Sequence, residues 1–112
     1  MRTPRSVIID TDIWFDADDV IAVAIAALTV LPLSIVTSDE TGGRRAGATR
    51  RFLDSFGRTD VPVVAGRGLA DSAERFLVDD YIADTPAQPT DVAGMVARVC
   101  DTGSGVDWVG MV

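Results

Sequence analysis

Val7-Ile8-Ile9 is a short, unbroken run of β-branched apolar residues that ends at an aspartate, Asp10. A strand with one face in water alternates apolar and polar residues, whereas a strand buried on both faces is apolar throughout. The run therefore predicts an interior strand of a parallel sheet. Comparable segments follow at 33–37, 61–65 and 106–112 and predict three more strands.

Helical segments separate these predicted strands. An almost wholly apolar helix is predicted over 20–28, and an amphipathic helix over 44–56. Thr90 is predicted to cap a third helix. The apolar face of that helix is formed by Val92, Met95, Val96 and Val99. Because strands and helices alternate, the pattern predicts an α/β fold: a three-layer, Rossmann-like open parallel sheet with right-handed crossovers.

The end of the chain predicts that 1–112 is a truncated part of a larger α/β domain. The last predicted strand ends at the final residue, without a helix to return over the sheet, although a parallel sheet needs both faces covered. From 67 to 89 the pattern weakens, and Pro86 and Pro89 predict a loop-rich excursion with one short helix.

The composition disfavours several classes of protein. A net charge of −7 disfavours a nucleic-acid partner, and the four arginines within 44–51 predict a solvated helix face rather than a phosphate site. The apolar run 20–33 is too short to span a bilayer, and the apolar segment before Asp10 is too short for a signal peptide. The single cysteine, Cys100, lies in an apolar helical pattern that predicts a buried, inert thiol. We expect a soluble, cytoplasmic protein without a membrane partner.

A cluster of aspartates follows the first predicted strand directly. Its members are Asp10, Asp12, Asp16, Asp18 and Asp19. Open parallel sheets bind ligands beyond the carboxyl ends of their strands. Carboxylates this close raise each other's pKa unless a cation is present, and hard oxygen ligands suit Ca²⁺, with Mg²⁺ next. An EF-hand is disfavoured because Phe15 and Ile21 occupy the positions that need Gly and Glu. The cluster predicts a divalent-metal and polyol site rather than a solvated acidic loop with a helix cap.

The strings Asp-Thr-Asp at 10–12 and Asp-Asp at 18–19 are similar to the signature of the inosine-uridine preferring nucleoside hydrolases, a DTDPGxDDA-like string. The chain resembles the subgroup with the longer string DTDIGxDxDDA, with Trp14 in place of Gly and Val20 in place of Ala. Further similarity lies at 33–46, 57–66 and 108–111. The resemblance implies a nucleoside hydrolase domain, of which this chain matches the N-terminal part.

The resemblance also implies a reaction and a metal site. Nucleoside hydrolases cleave the N-glycosidic bond of purine or pyrimidine ribonucleosides with a calcium-activated water and release ribose and the base. By this resemblance, Asp12 would ligate Ca²⁺ and act as the catalytic general base. Asp19 would be a second calcium ligand, and Asp10 would support the metal cluster from behind.

The substrate contacts that the resemblance implies lie on both sides of this string. Asp18 would bind a ribose hydroxyl, and Asp39 or Glu40 would provide a further polar contact to the ribose. Trp14 could stack on a nucleobase, and a packing role for it is about equally expected.

The sequence leaves two alternatives open. The family's later Asn and His contributions have no counterpart, because the chain contains neither residue. The chain could therefore be a non-catalytic truncated homologue with a partial metal and ribose site, which pairs with a second copy or a complementing C-terminal half. Haloacid-dehalogenase-like phosphohydrolases also place Asp-x-Asp after a buried strand and use Mg²⁺, but they need a later Lys, which is absent.

Overall fold

The computed structural model describes residues 5–13, 17–30, 32–38, 43–66, 85–101 and 105–111. Within these ranges the elements are β1 (Ser6–Thr11), α1 (Ala17–Thr29), β2 (Leu33–Thr37), α2 (Arg44–Ser55), β3 (Val63–Ala65), α3 (Val92–Cys100) and β4 (Val106–Met111). All strand pairs are parallel, and the order in the sheet is β3-β2-β1-β4. The predicted α/β fold with an open parallel sheet is confirmed. The short helix predicted within 67–89 falls mostly outside the described residues.

The helices cover both faces of the sheet. On one face, Ile9 and Ile35 of the central strands share a core with Val23 of α1 and Leu53 of α2. On the other face, Ile8 and its neighbours in β2 and β3 pack against α3. Residues adjacent in a strand point to opposite faces, so an interior strand must be apolar at both. This explains the unbroken apolar run of β1.

The order of the strands creates a topological switch point between β1 and β4. From β1 the chain proceeds to β2 and β3 on one side, and α3 then returns it to β4 on the other side of β1. Open α/β sheets bind ligands in the crevice that such a reversal leaves at the carboxyl ends of the strands. Here that position is the end of β1 at Thr11, where the aspartate string lies.

The start and end of α3 correct two predictions. Asp91, rather than Thr90, is the N-cap, and its carboxylate accepts a hydrogen bond of 2.9 Å from the backbone N–H of Gly94. Cys100 is exposed, so the prediction of a buried thiol is wrong. The helix turns by about 100° per residue, which rotates Cys100 away from the apolar face that ends at Val99.

β4, one of the two edge strands, is the strand whose side chains are most exposed. Trp108 and Val109 are 50% and 42% exposed. The helices in the described part of the chain include none that is long and apolar enough to cross a bilayer.

Candidate functional site

Asp12 and Asp19 come together at the carboxyl end of β1. Asp12 follows the last residue of the strand, and Asp19 lies in the first turn of α1. The two side chains are close enough to interact by a hydrogen bond and by their charges. The first turn of a helix favours a carboxylate, because the backbone N–H groups there carry a partial positive charge. The local order of strand, short loop and helix thus places two acids against each other.

Thr11 positions one member of this pair. Its hydroxyl donates a hydrogen bond of 2.5 Å to a carboxylate oxygen of Asp19. Thr11 is completely buried in the sheet, so packing holds its side chain in place. The bond ties the start of α1 to the end of β1.

The environment of Asp12 raises the pKa of its carboxyl group. Burial is the main cause, and the hydrogen bond and the negative charge of Asp19 add to it. A hydrogen bond to the backbone of Asp12 and the positive charge of Arg45 lower the pKa, but they do not outweigh the other effects. Two carboxylates in contact resist carrying two negative charges, and a bound cation would relieve that repulsion.

Arg45, in the first turn of α2, fixes the backbone of the loop that follows β1. Its guanidinium donates hydrogen bonds to the carbonyl oxygens of Asp12, at 2.8 Å, and of Ile13, at 2.5 Å. The residue is only 1% exposed. The loop is therefore attached to α2 at the point where the Asp12 side chain leaves the sheet.

These contacts correct the prediction of a solvated arginine face on α2 for two of its four arginines, whereas Arg44 is exposed as predicted. Arg45 is buried, and Arg50 donates to the backbone carbonyls of Val61 and Arg58. A planar guanidinium with five donors can serve several carbonyls at once, which makes arginine suited to such buried positions. The helical period contained the signal, because Arg45 lies four residues before Thr49, on the stripe that faces the core.

Of the other predicted site residues, the structure describes Asp10 and Asp18. Asp10 is half-buried on β1, and Asp18 is exposed on α1. Trp14, Asp39 and Glu40 lie outside the described residues. Within the ranges that the structure describes, no group of three His, Cys, Asp or Glu side chains is arranged to hold a metal ion. The metal role of Asp10 and the substrate contacts remain predictions.

The position paired with Asp10 on the neighbouring strand carries no side chain. Asp10 is in register with Gly110 on β4, and a Cβ atom added at Gly110 would meet no described atom within 4 Å.

The donor set fits a hard divalent cation in part. Ca²⁺ takes about six to eight oxygen ligands, and Asp12 and Asp19 could supply between two and four of them. The positive charge of Arg45 beside Asp12 opposes a second cation. We therefore expect weak binding from the described residues alone.

No protein-family profile, no curated protein and no solved structure matches this chain. The likeness to nucleoside hydrolases rests on the motifs in the sequence. The geometry adds the position of the aspartates at a switch point.

Proposed function

We propose that this chain forms the calcium- and ribose-binding part of a nucleoside hydrolase, which cleaves the N-glycosidic bond of ribonucleosides. The observation that carries the proposal is the position of Asp12 and Asp19 at the end of β1 and the start of α1, beside the switch point of the sheet. It agrees with the roles that the resemblance implies. Asp12 would be both the general base and a calcium ligand, and Asp19 would be a second calcium ligand.

In this reaction the oxygen of water attacks the anomeric carbon of ribose, and the bond to the nucleobase breaks with its electron pair leaving on the base. Asp12 would accept the proton from the attacking water. Bound calcium would supply Lewis acidity that lowers the pKa of water. The carboxylates near the sugar would stabilise the oxocarbenium-like transition state, as in other glycoside hydrolysis.

The substrate would lie over the carboxyl ends of β1 and β4. Asp18 is exposed in the first turn of α1, where its carboxylate could accept a hydrogen bond from a ribose hydroxyl. Asp10 lies beside Gly110 on the neighbouring strand. Both placements leave the sugar in contact with oxygen acceptors, as recognition of a polyol requires.

The test is ribose release from inosine, uridine and cytidine, with Ca²⁺ or with EDTA. We expect slow, calcium-dependent release that Asp12→Asn reduces by about 10²- to 10⁴-fold, the usual contribution of a general base. Asp101→Asn is the matched control, since Asp101 is an exposed acid at the end of α3. Release that persists in EDTA, or in Asp12→Asn, would exclude the proposed roles.

Calorimetry with CaCl₂ separates this proposal from the non-catalytic alternative. We expect Asp12→Asn and Asp19→Asn to lose the calcium heat and Asp101→Asn to keep it. Calcium binding without ribose release would favour a truncated homologue with a partial site. Absence of both would leave the aspartate pair as a structural contact.

A further inference from the structure

A cavity lies at the edge of the sheet opposite the aspartates. It has a volume of about 300 Å³ and opens at the amino ends of β1 and β2, below the last turn of α3. That volume lies at the lower end of the range of small-molecule sites. We propose that this cavity binds a small monocarboxylate with an apolar body, at a site separate from the aspartate pair.

Two buried serines line the cavity from neighbouring strands. Ser6 begins β1 and is 6% exposed, and Ser34 on β2 is 5% exposed. Neither hydroxyl forms a hydrogen bond with any residue in the described part of the chain. Of the buried side-chain nitrogen and oxygen atoms that the structure describes, only Arg45 Nε lacks a hydrogen-bond partner, so both serine hydroxyls are reachable from the cavity. A ligand oxygen in the cavity would accept from both.

The charge around the opening favours an anion. Arg98 lines the cavity from the last turn of α3, is exposed, and forms no ion pair with a described residue. Asp60 also lines it, but Arg58 neutralises that carboxylate through bonds of 3.0 and 3.1 Å. The end of a helix contributes a partial charge of about −0.5, which is smaller than the full charge of one guanidinium. Among the described residues that line the cavity, the positive charge of Arg98 is therefore not balanced by an ion pair.

The remaining walls are apolar. Leu33, Met95 and Val99 contribute side chains to the lining, between the sheet and α3. A ligand can place a carboxylate between Arg98 and the serine hydroxyls and bury a hydrocarbon group against these walls. This division between a few polar groups and an apolar lining is usual for small-molecule sites.

Phenylacetate is a suitable probe, and phenylacetamide is its uncharged equivalent. Backbone amide NMR spectra of the nitrogen-labelled chain, recorded in EDTA, would follow each titration to millimolar ligand. We expect phenylacetate to shift the amides of Ser6, Ser34 and Val99 and to bind about tenfold more tightly than the amide. Arg98→Gln should remove that preference, because a charge-assisted hydrogen bond is lost.

Two further variants serve as a control for the arginine and as a test of the serine hydroxyl. Arg44→Gln removes an exposed arginine elsewhere, at the start of α2, and should leave the affinity unchanged. Ser34→Ala should weaken binding several-fold without lowering the stability of the ligand-free protein, since its hydroxyl has no described partner. The proposal fails if the shifts are absent, if they centre on the aspartate edge, or if Arg98→Gln binds phenylacetate as tightly as the wild type.

Discussion

Replacement of Arg45 by methionine tests whether one buried cation holds the loop that carries Asp12. Methionine keeps an unbranched stem of similar length and a similar helix propensity, so α2 itself should persist. The change removes the hydrogen bonds from the guanidinium to the carbonyls of Asp12 and Ile13. It also removes a positive charge from beside the aspartate pair.

The expected loss of stability follows from these two bonds. Each hydrogen bond from a charged donor contributes about 1.5–3 kcal/mol to stability. That contribution is lost in full where the carbonyl is buried and finds no other partner. The bond to Ile13 is buried, whereas the carbonyl of Asp12 is part-buried and can regain water. Relief of the desolvated charge of Arg45 offsets part of the loss. We expect the free energy of unfolding to fall by about 3 kcal/mol and Tm by on the order of 10 °C.

Urea unfolding followed by far-ultraviolet circular dichroism, without calcium, measures this difference. Arg44→Met is the matched control, because Arg44 is the exposed neighbour on the same turn, and it should change stability by less than about 0.5 kcal/mol. Arg45→Lys should fall between the two, since an ammonium lacks the planar fork that spans both carbonyls. If Arg45→Met and Arg44→Met unfold at the same urea concentration with equal slopes, Arg45 does not hold the loop.

Three further changes test the fold and the site. Asp91→Ala should cost about 1 kcal/mol through the lost N-cap, and Thr90→Ala almost nothing, as thermal melts would show; equal effects would contradict the assigned cap. Gly47→Ala places a Cβ 2.8 Å from the carbonyl oxygen of Pro86, so urea titrations should show a loss of about 1–3 kcal/mol despite the better helix propensity of alanine. The pKa of Asp12 is higher in the folded than in the unfolded chain, so its protonation contributes to the free energy of unfolding. That contribution is fully present below the unfolded pKa and is lost as the pH rises through the folded pKa. Asp12→Asn should therefore be increasingly more stable than the wild type as the pH rises in EDTA, and a difference independent of pH would contradict this.

The sequence predicted the strands well for a physical reason. β1 and β2 are interior strands, so burial on both faces favours apolar runs such as those at 7–9 and 35–36, and β2 has the predicted bounds, Leu33–Thr37. Helix ends depend on single hydrogen bonds. Thr90 and Asp91 are both good caps by type, and the geometry of the turn selected the second. A pattern of residue types does not contain that choice.

Of the candidate site, the sequence predicted the aspartates but not the arginine that contacts their loop. Asp12 and Asp19 are near each other in the sequence, and the short connection between a strand and the following helix leaves them few ways to lie apart. Arg45 is far along the chain, and its contact with the loop depends on how α2 packs beside β1. An arginine in a polar helix is by default a surface residue. The helical period places Arg45 on the same stripe as Thr49, but the carbonyls that its guanidinium meets depend on the tertiary arrangement.

The loop after β1 is held from two directions, which bears on what the aspartates can do. Thr11 ties the end of β1 to Asp19 on α1, and Arg45 ties the backbone of Asp12 and Ile13 to α2. An acidic loop without a ligand gains nothing from this order, because like charges are most easily accommodated when they can move apart. A binding site gains a great deal, since groups held in position before the ligand arrives need no ordering afterwards. With two carboxylates and one guanidinium, the pair retains a net negative charge once both acids ionise, and a divalent cation with several waters could neutralise it. The two tethers, as much as the acids, therefore favour a ligand site at this end of the sheet.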